Sequence, residues 1–204
     1  MKALTDITNH VNVTYPFACK KTTKFDEKQT KRILQKVRKH LEEFINIDMR
    51  PNSVSFVNKN RKTCRIVIYD LNKLLIEKDL FMVIFYANKR DNLTEEFNKE
   101  FFATDWGIAM GMMGNKNILC YASQEFTDGN WFNIVLFTEE KDKHEVTTKN
   151  KHKYAAYTVA PKRFSWIRLH NALLPQGISN FEDIILKKTN YYYFDDNWFA
   201  VRNY

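Results

Sequence analysis

Glycine and proline are scarce, five and four in 204 residues, which leaves no room for a flexible linker, a collagen-like repeat or a low-complexity tract. Cysteine is rarer still. Cys19, Cys64 and Cys120 are far apart, odd in number and without a Cys-x-x-Cys pair, which speaks against a disulfide framework or a zinc ribbon and for a reducing compartment. No stretch approaches the roughly 18 apolar residues of a membrane-spanning helix. The first residues, MKALTDITNHVNV, place Thr, Asp and Asn where a secretory signal needs an apolar run. The expectation is a soluble, cytoplasmic protein with no membrane partner.

What the chain has in plenty is aromatic side chains, 15%, and positive charge, net +8. Its length suffices for one sizeable core, or for two small half-domains sharing one. The charge is uneven. Cys19–Lys39 carries nine Lys and Arg against Asp26 and Glu27, and Lys59, Arg61, Lys62 and Arg65 form a second cluster in a predicted turn. A solvated helix face and hairpin tip explain both. The sharper reading is a patch for an acidic partner, but Phe25 is the lone aromatic in the basic segment and no RNA-recognition strand motif is present, so nucleic acid ranks last among the partners.

Along the chain, Met1–Val13 alternates weakly as a first strand and Tyr15-Pro16 breaks it. Asp26-x-x-Gln29 reads as a capping box opening a helix to about Ile47, with Ile33, Leu34, Val37, Leu41, Phe44 and Ile45 as its buried stripe. Val54–Val57 and Cys64–Tyr69 read as strands around the turn Asn58–Thr63, and Leu71–Lys78 as a short helix. The stretch Phe81–Ala172 is better marked. FMVIFYA (Phe81–Ala87) suits a central strand, and Asn92-x-x-Glu95 offers a capping box for a helix carrying Phe97, Phe101 and Trp106. Asn117–Ser123 and Trp131–Thr138 flank the Asp128-Gly129 hairpin signal. Lys149–Ala160 reads as a helix closed by Pro161, and Phe164–Leu173 as a strand. Tyr191–Arg202 ends the chain as an aromatic-rich extended segment.

The order strand–helix–strand–strand–helix–strand is that of a ferredoxin-like unit. With strand–helix–strand–strand before it, the expected fold is α+β, two ferredoxin-like halves forming an antiparallel-sheet α+β barrel with facing sheets. Residues 1–80 and 81–204 would be the halves of one compact unit. This segment order resembles the dimeric α+β barrel superfamily, which includes spheroidene monooxygenase-like proteins, chlorite dismutases and antibiotic-biosynthesis monooxygenases. SQEFTDGNWFNIVLF, HKYAAYTVAPKRFSWIRLHNALLPQG and YYYFDDNWFAVRNY also resemble a family of uncharacterised bacterial proteins. The superfamily resemblance implies a homodimer, and haem as a candidate cofactor held by a helical histidine, His152 or His144. Small residues Ala155 and Ala156 beside His152 would let a flat macrocycle approach, whereas its lysine neighbours suit a solvated histidine.

On a strand, Arg168 and His170 share one face while Ile167, Leu169 and Asn171 point the other way. Such a pair suits an anionic ligand, the guanidinium clamping it and the imidazole relaying a proton; the plainer reading pairs Arg168 with Asp195 or Asp196. No His-x-His or Glu-x-x-His spacing supports a metal site. Cys64 and Cys120 lie in apolar strands and read as inert thiols. Gly107-x-x-x-Gly111-x-x-Gly114 lacks the Lys-Ser/Thr ending of a phosphate loop and reads as close helix packing. The tryptophans and Tyr191–Phe194 suit either a ligand wall or a core and interface.

Three functions stay open. The first is binding of a flat apolar small molecule, with haem as candidate and oxidative chemistry, using Arg168 and His170 as catalytic groups. The second is a non-catalytic ligand-binding or interaction protein. The third is an acidic-partner binder working through the basic helix.

Overall fold

The computed structural model describes residues 5–6, 20–44, 52–57, 62–194 and 198–202. At its centre is Leu80–Lys89 (β4), LFMVIFYANK, apolar on both sides of the pleat and therefore stable only between two covering layers. It pairs antiparallel with Trp131–Phe137 (β6) on one side and Phe164–Leu174 (β7) on the other. Glu95–Gly111 (α3) leads from β4 to Ile118–Glu125 (β5), which pairs with β6. Lys143–Thr147 (α4), Asn150–Tyr154 (α5) and Ala160–Arg163 (α6) lead from β6 to β7. The four strands lie in the order β7-β4-β6-β5. Strand–helix–strand–strand–helix–strand over Phe81–Ala172 is thus the unit that the segment order predicts.

The sheet extends past this unit on both sides. The hairpin of Asn52–Val57 (β2) and Thr63–Ile68 (β3) pairs with β5, and Ile185–Tyr193 (β8), Trp198–Arg202 (β9) and Thr5–Asp6 (β1) follow β7. Among the described residues the result is one nine-stranded sheet, antiparallel except where β1 meets β9. The α+β class and the antiparallel sheet are as expected. The arrangement differs from two facing sheets, because strands from both ends of the chain join a single one. The physical reason is Lys20–Phe44 (α1), whose stripe Ile33, Leu34, Val37 and Leu41 buries against Met82, Ile84, Ile134 and Ala122. With Leu71–Ile76 (α2), it covers the apolar face that a second sheet would need. The other face packs Ala87, Trp131, Phe164 and Ile167 under Phe101 and Val159 from the α3–α6 layer. No helix among the described residues is long and apolar enough to cross a membrane.

Local signals held in some places and misled in others. Gly129, at φ +81°, makes the Asp128-Gly129 turn between β5 and β6. Gly177 is required twice over: its φ is +61°, and a Cβ there would lie 2.2 Å from the carbonyl oxygen of Glu77. The cap of α3 is Thr94, which accepts from the Phe97 amide at 3.2 Å, and not Asn92, which takes a left-handed φ of 57° just upstream. Asp26 caps nothing. The helix is already running at Lys20, so Asp26 lies inside it. Pro161 does not close its helix: a wider π turn, Ala155–Val159, accommodates the missing N–H and the helix continues to Arg163. Close packing does not explain Gly111, which has open space where a Cβ would stand. Apart from Thr5–Asp6, the strand expected over Met1–Val13 lies outside the described residues. So do Tyr15-Pro16, the tip Asn58–Arg61, the helix end near Ile47, and Asp195 and Asp196.

Candidate functional site

Arg168 and His170 stand on β7 with their side chains toward α1, as alternation requires. There they meet Asp26. The Arg168 guanidinium donates to both carboxylate oxygens, Nε to Oδ2 at 2.5 Å and Nη2 to Oδ1 at 2.6 Å. His170 Nε2 lies 2.9 Å from Asp26 Oδ2, and its Nδ1 2.8 Å from Thr189 Oγ1 on the neighbouring strand β8. As a carboxylate, Asp26 only accepts, so Nε2 carries the proton of that bond. The guanidinium lies against the rings of both Tyr86 and Trp166, each centroid 4.6 Å away, and the two rings are themselves neighbours at 5.6 Å. Burial pushes the Tyr86 phenol up, and the Asn130 amide donating to its oxygen at 3.2 Å draws it back.

This network is sealed. Side-chain exposure is 3% for Arg168, 1% for Asp26 and 0% for His170. A bidentate pair in such a place survives because every charge finds a hydrogen-bonded partner, and breaking it is costly. Its effect is to clamp α1 onto β7, and so to fix the side chains of α1 on either side of Asp26. The expected partners Asp195 and Asp196 lie outside the described residues; the partner that is described is Asp26, whose sequence context suggested a helix start. The missed signal is present in the sequence. Carried backward, the apolar stripe Ile33–Leu34–Val37 lands on Thr30 and Asp26, both buried, so the helix face itself marked Asp26 as facing inward.

Above the clamp, α1 borders an open groove of about 770 Å³. Phe25, Phe126 and Phe181 form its apolar walls, and Arg32, Lys36 and Lys39 its basic side. Phe25 touches Tyr86 edge to face at 5.7 Å and Phe126 lies 5.8 Å from the same ring, so two of the three groove aromatics rest on a residue that packs against Arg168. The two carboxylates of the groove are already engaged, Glu42 by Arg38 at 3.1 Å and Glu125 by Lys62 at 3.3 Å. Among the described residues its lining contains no histidine and no cysteine.

No family model and no curated protein matches this chain. Among solved structures, a candidate monooxygenase from Lactobacillus acidophilus aligns over 78% of this chain and 93% of its own, at 10% identity and a TM-score of 0.41.

The histidines named as cofactor ligands lie elsewhere. His144 is exposed on α4, and its carbonyl caps Thr148. His152 is half-buried on α5, and burial holds its imidazole below the usual histidine range. Neither is part of the apolar layer between helices and sheet, which is filled: the Phe101 ring meets Trp131 at 5.0 Å and Phe164 at 5.6 Å, both edge to face. A haem needs an imidazole aimed into an apolar slot wide enough for its ring. The residues present here do not fit that need. Arg65, assigned by its sequence neighbours to a solvated tip, is instead half-buried on β3 and paired with Asp105 of α3, which also accepts from the Tyr121 hydroxyl. Desolvation raises Asp105, while Tyr121 and Arg65 lower it. Cys64 and Cys120 are buried, with thiols pushed up by desolvation.

Proposed function

We propose that the protein binds a flat small molecule in the groove beside α1, and that it acts there by binding. The observation that supports this reading is the groove itself: an open concavity of about 770 Å³, within the size range of small-molecule sites, with aromatic walls and few carboxylates. Phe25 keeps 42% of its surface exposed at that wall, so its ring is open to a ligand entering the groove. The groove offers cations and neutral amides, and its described carboxylates, Glu42 and Glu125, face Arg38 and Lys62. Arg168 and His170 serve this site as positioning residues. They hold α1 through Asp26 and prop the Tyr86 ring on which Phe25 and Phe126 rest.

The test is titration with a flat aromatic anion, anilinonaphthalene sulfonate, followed by its fluorescence. Native protein should bind about one equivalent saturably, and Phe25→Ser and Phe126→Ser should each weaken binding at least several-fold while circular dichroism stays unchanged. Absence of saturable binding, or binding indifferent to both substitutions, would sink the proposal.

A further inference from the structure

The groove is not uniform along its length. Phe25, Gln29, Arg32, Lys36 and Lys39 line it at spacings of four, three, four and three residues, which puts all five on one face of α1. At 1.5 Å per residue this stripe is roughly 21 Å long, and its cationic part roughly 10 Å. It has a direction: an aromatic ring first, an amide next, then three cations.

Those cations are committed to little else. Arg32 is exposed, and its guanidinium donates to the neutral amide of Gln29 at 3.3 Å. Lys36 donates to Gln124 Oε1 at 2.5 Å and contacts the Cys64 sulfur at 3.7 Å, neither a carboxylate. Lys39 sits 3.9 Å from Glu43, both largely exposed, a pairing that water and salt weaken to almost nothing. Lys31 and Arg38 lie closer to acceptors, Lys31 2.6 Å from Glu182 and Arg38 3.1 Å from Glu42 and 2.9 Å from the Ser179 carbonyl, in pairs that are exposed as well. A single carboxylate would leave most of this charge unanswered. Three cations in line call for a tail of several negative charges, and the aromatic end calls for a flat ring joined to it.

Resting on the groove as the binding site, we infer that its ligand class is the nucleoside polyphosphate, with the base against Phe25 and Phe126 and the phosphates along Arg32, Lys36 and Lys39. The Gln29 amide stands between the two ends of the stripe, level with the sugar. Arg32 presents a planar fork to a phosphate, whereas Lys36 and Lys39 act as point charges. The affinity therefore falls as salt rises.

Calorimetric titration of the full chain with ADP, adenosine and inorganic pyrophosphate separates the two ends. ADP should bind one per chain, and each fragment at least tenfold more weakly. Arg32→Gln, an exposed change that leaves the fold intact, should weaken ADP and pyrophosphate about tenfold and leave adenosine unchanged. Phe25→Ser should do the reverse, weakening ADP and adenosine and sparing pyrophosphate. Pyrophosphate binding as tightly as ADP would overturn the inference, since charge alone would then explain it. A single-stranded oligonucleotide whose affinity grows with length and exceeds that of ADP would overturn it in favour of a nucleic-acid groove. If ADP gives no heat while anilinonaphthalene sulfonate still binds through Phe25, the ligand class is wrong and the groove stands. If neither binds, both fail.

Discussion

Asp26 ties α1 to β7, because one carboxylate satisfies Arg168 and His170 at once. Its removal leaves a buried guanidinium without its counter-charge. Asp26→Ala should therefore cost about 3–5 kcal/mol in urea unfolding, and Asp26→Leu with Arg168→Leu should cost less than Asp26→Leu alone. A loss under about 1 kcal/mol for Asp26→Ala would show that water reaches the pair. His152 gives a second test, on pH. Its folded pKa is depressed by burial below the ordinary 6.5, so the unfolded chain takes up the proton first. The contribution is complete above about 6.5 and is lost as pH falls through the lower folded value. Stability should decline across that window in the native protein, and His152→Gln should flatten the decline; equal slopes for both proteins would contradict it. Neither residue's role follows from its neighbours in sequence. Asp26-x-x-Gln29 imitates a helix cap because cap signals are short and local, while the inward direction of Asp26 is stated by a stripe that spans four turns.

At the scale of elements, the strands were the most legible. β4 reads as central because both faces of the pleat are apolar, and the Asp128-Gly129 pair names its hairpin because few residues tolerate a positive φ. Helix ends were less legible, since several residues can cap and the one that does is chosen by where the helix must lie. Thr94 won over Asn92 in this way. Thr94→Ala should cost about 1 kcal/mol, read by thermal or urea unfolding, and Asn92→Gly, which suits the left-handed φ at that position, should remove no cap hydrogen bond. An Asn92→Gly loss as large as that of Thr94→Ala would return the cap to Asn92. The helix over residues 150–163 shows the same limit. Pro161 lacks the amide that an α turn would use, and the chain answers with a π turn, a choice that depends on the packing of Val159 and Ala160 against the sheet.

Across the whole molecule, one sheet is held between two helical layers, and Cys64 and Cys120 lie in its interior strands. Cys64 on β3 and Cys120 on β5 are 2% and 0% exposed, with thiols raised by desolvation. Their labelling by a thiol reagent should be slow in the native state and should follow unfolding, Cys120 reacting only when the sheet opens. Rapid labelling of Cys120 under native conditions would mean that the layer formed by α1 detaches while the rest stays folded. The cover provided by α1 is also the reason that a single continuous sheet, rather than a pair of facing ones, satisfies the apolar surface. A helix bearing Ile33, Leu34, Val37 and Leu41 fills the same need as a second sheet face.

By itself the sequence determined what depends on near neighbours: the α+β class, the order of segments from Phe81 to Ala172, the shared face of Arg168 and His170, and the buried stripe of α1. Periodicity and turn chemistry act over a few residues, so they can be read without the rest of the chain. The tertiary structure alone decided which acid answers Arg168, since Asp26 is 142 residues away and had rivals closer in sequence. It also decided that the cations of α1 face a wall containing Phe126 and Phe181, and that neither His144 nor His152 is among the described residues lining that groove. Such pairings are selected by packing the whole chain at once, where a buried charge must find its counter-charge and each apolar face its cover, and no local pattern carries that choice.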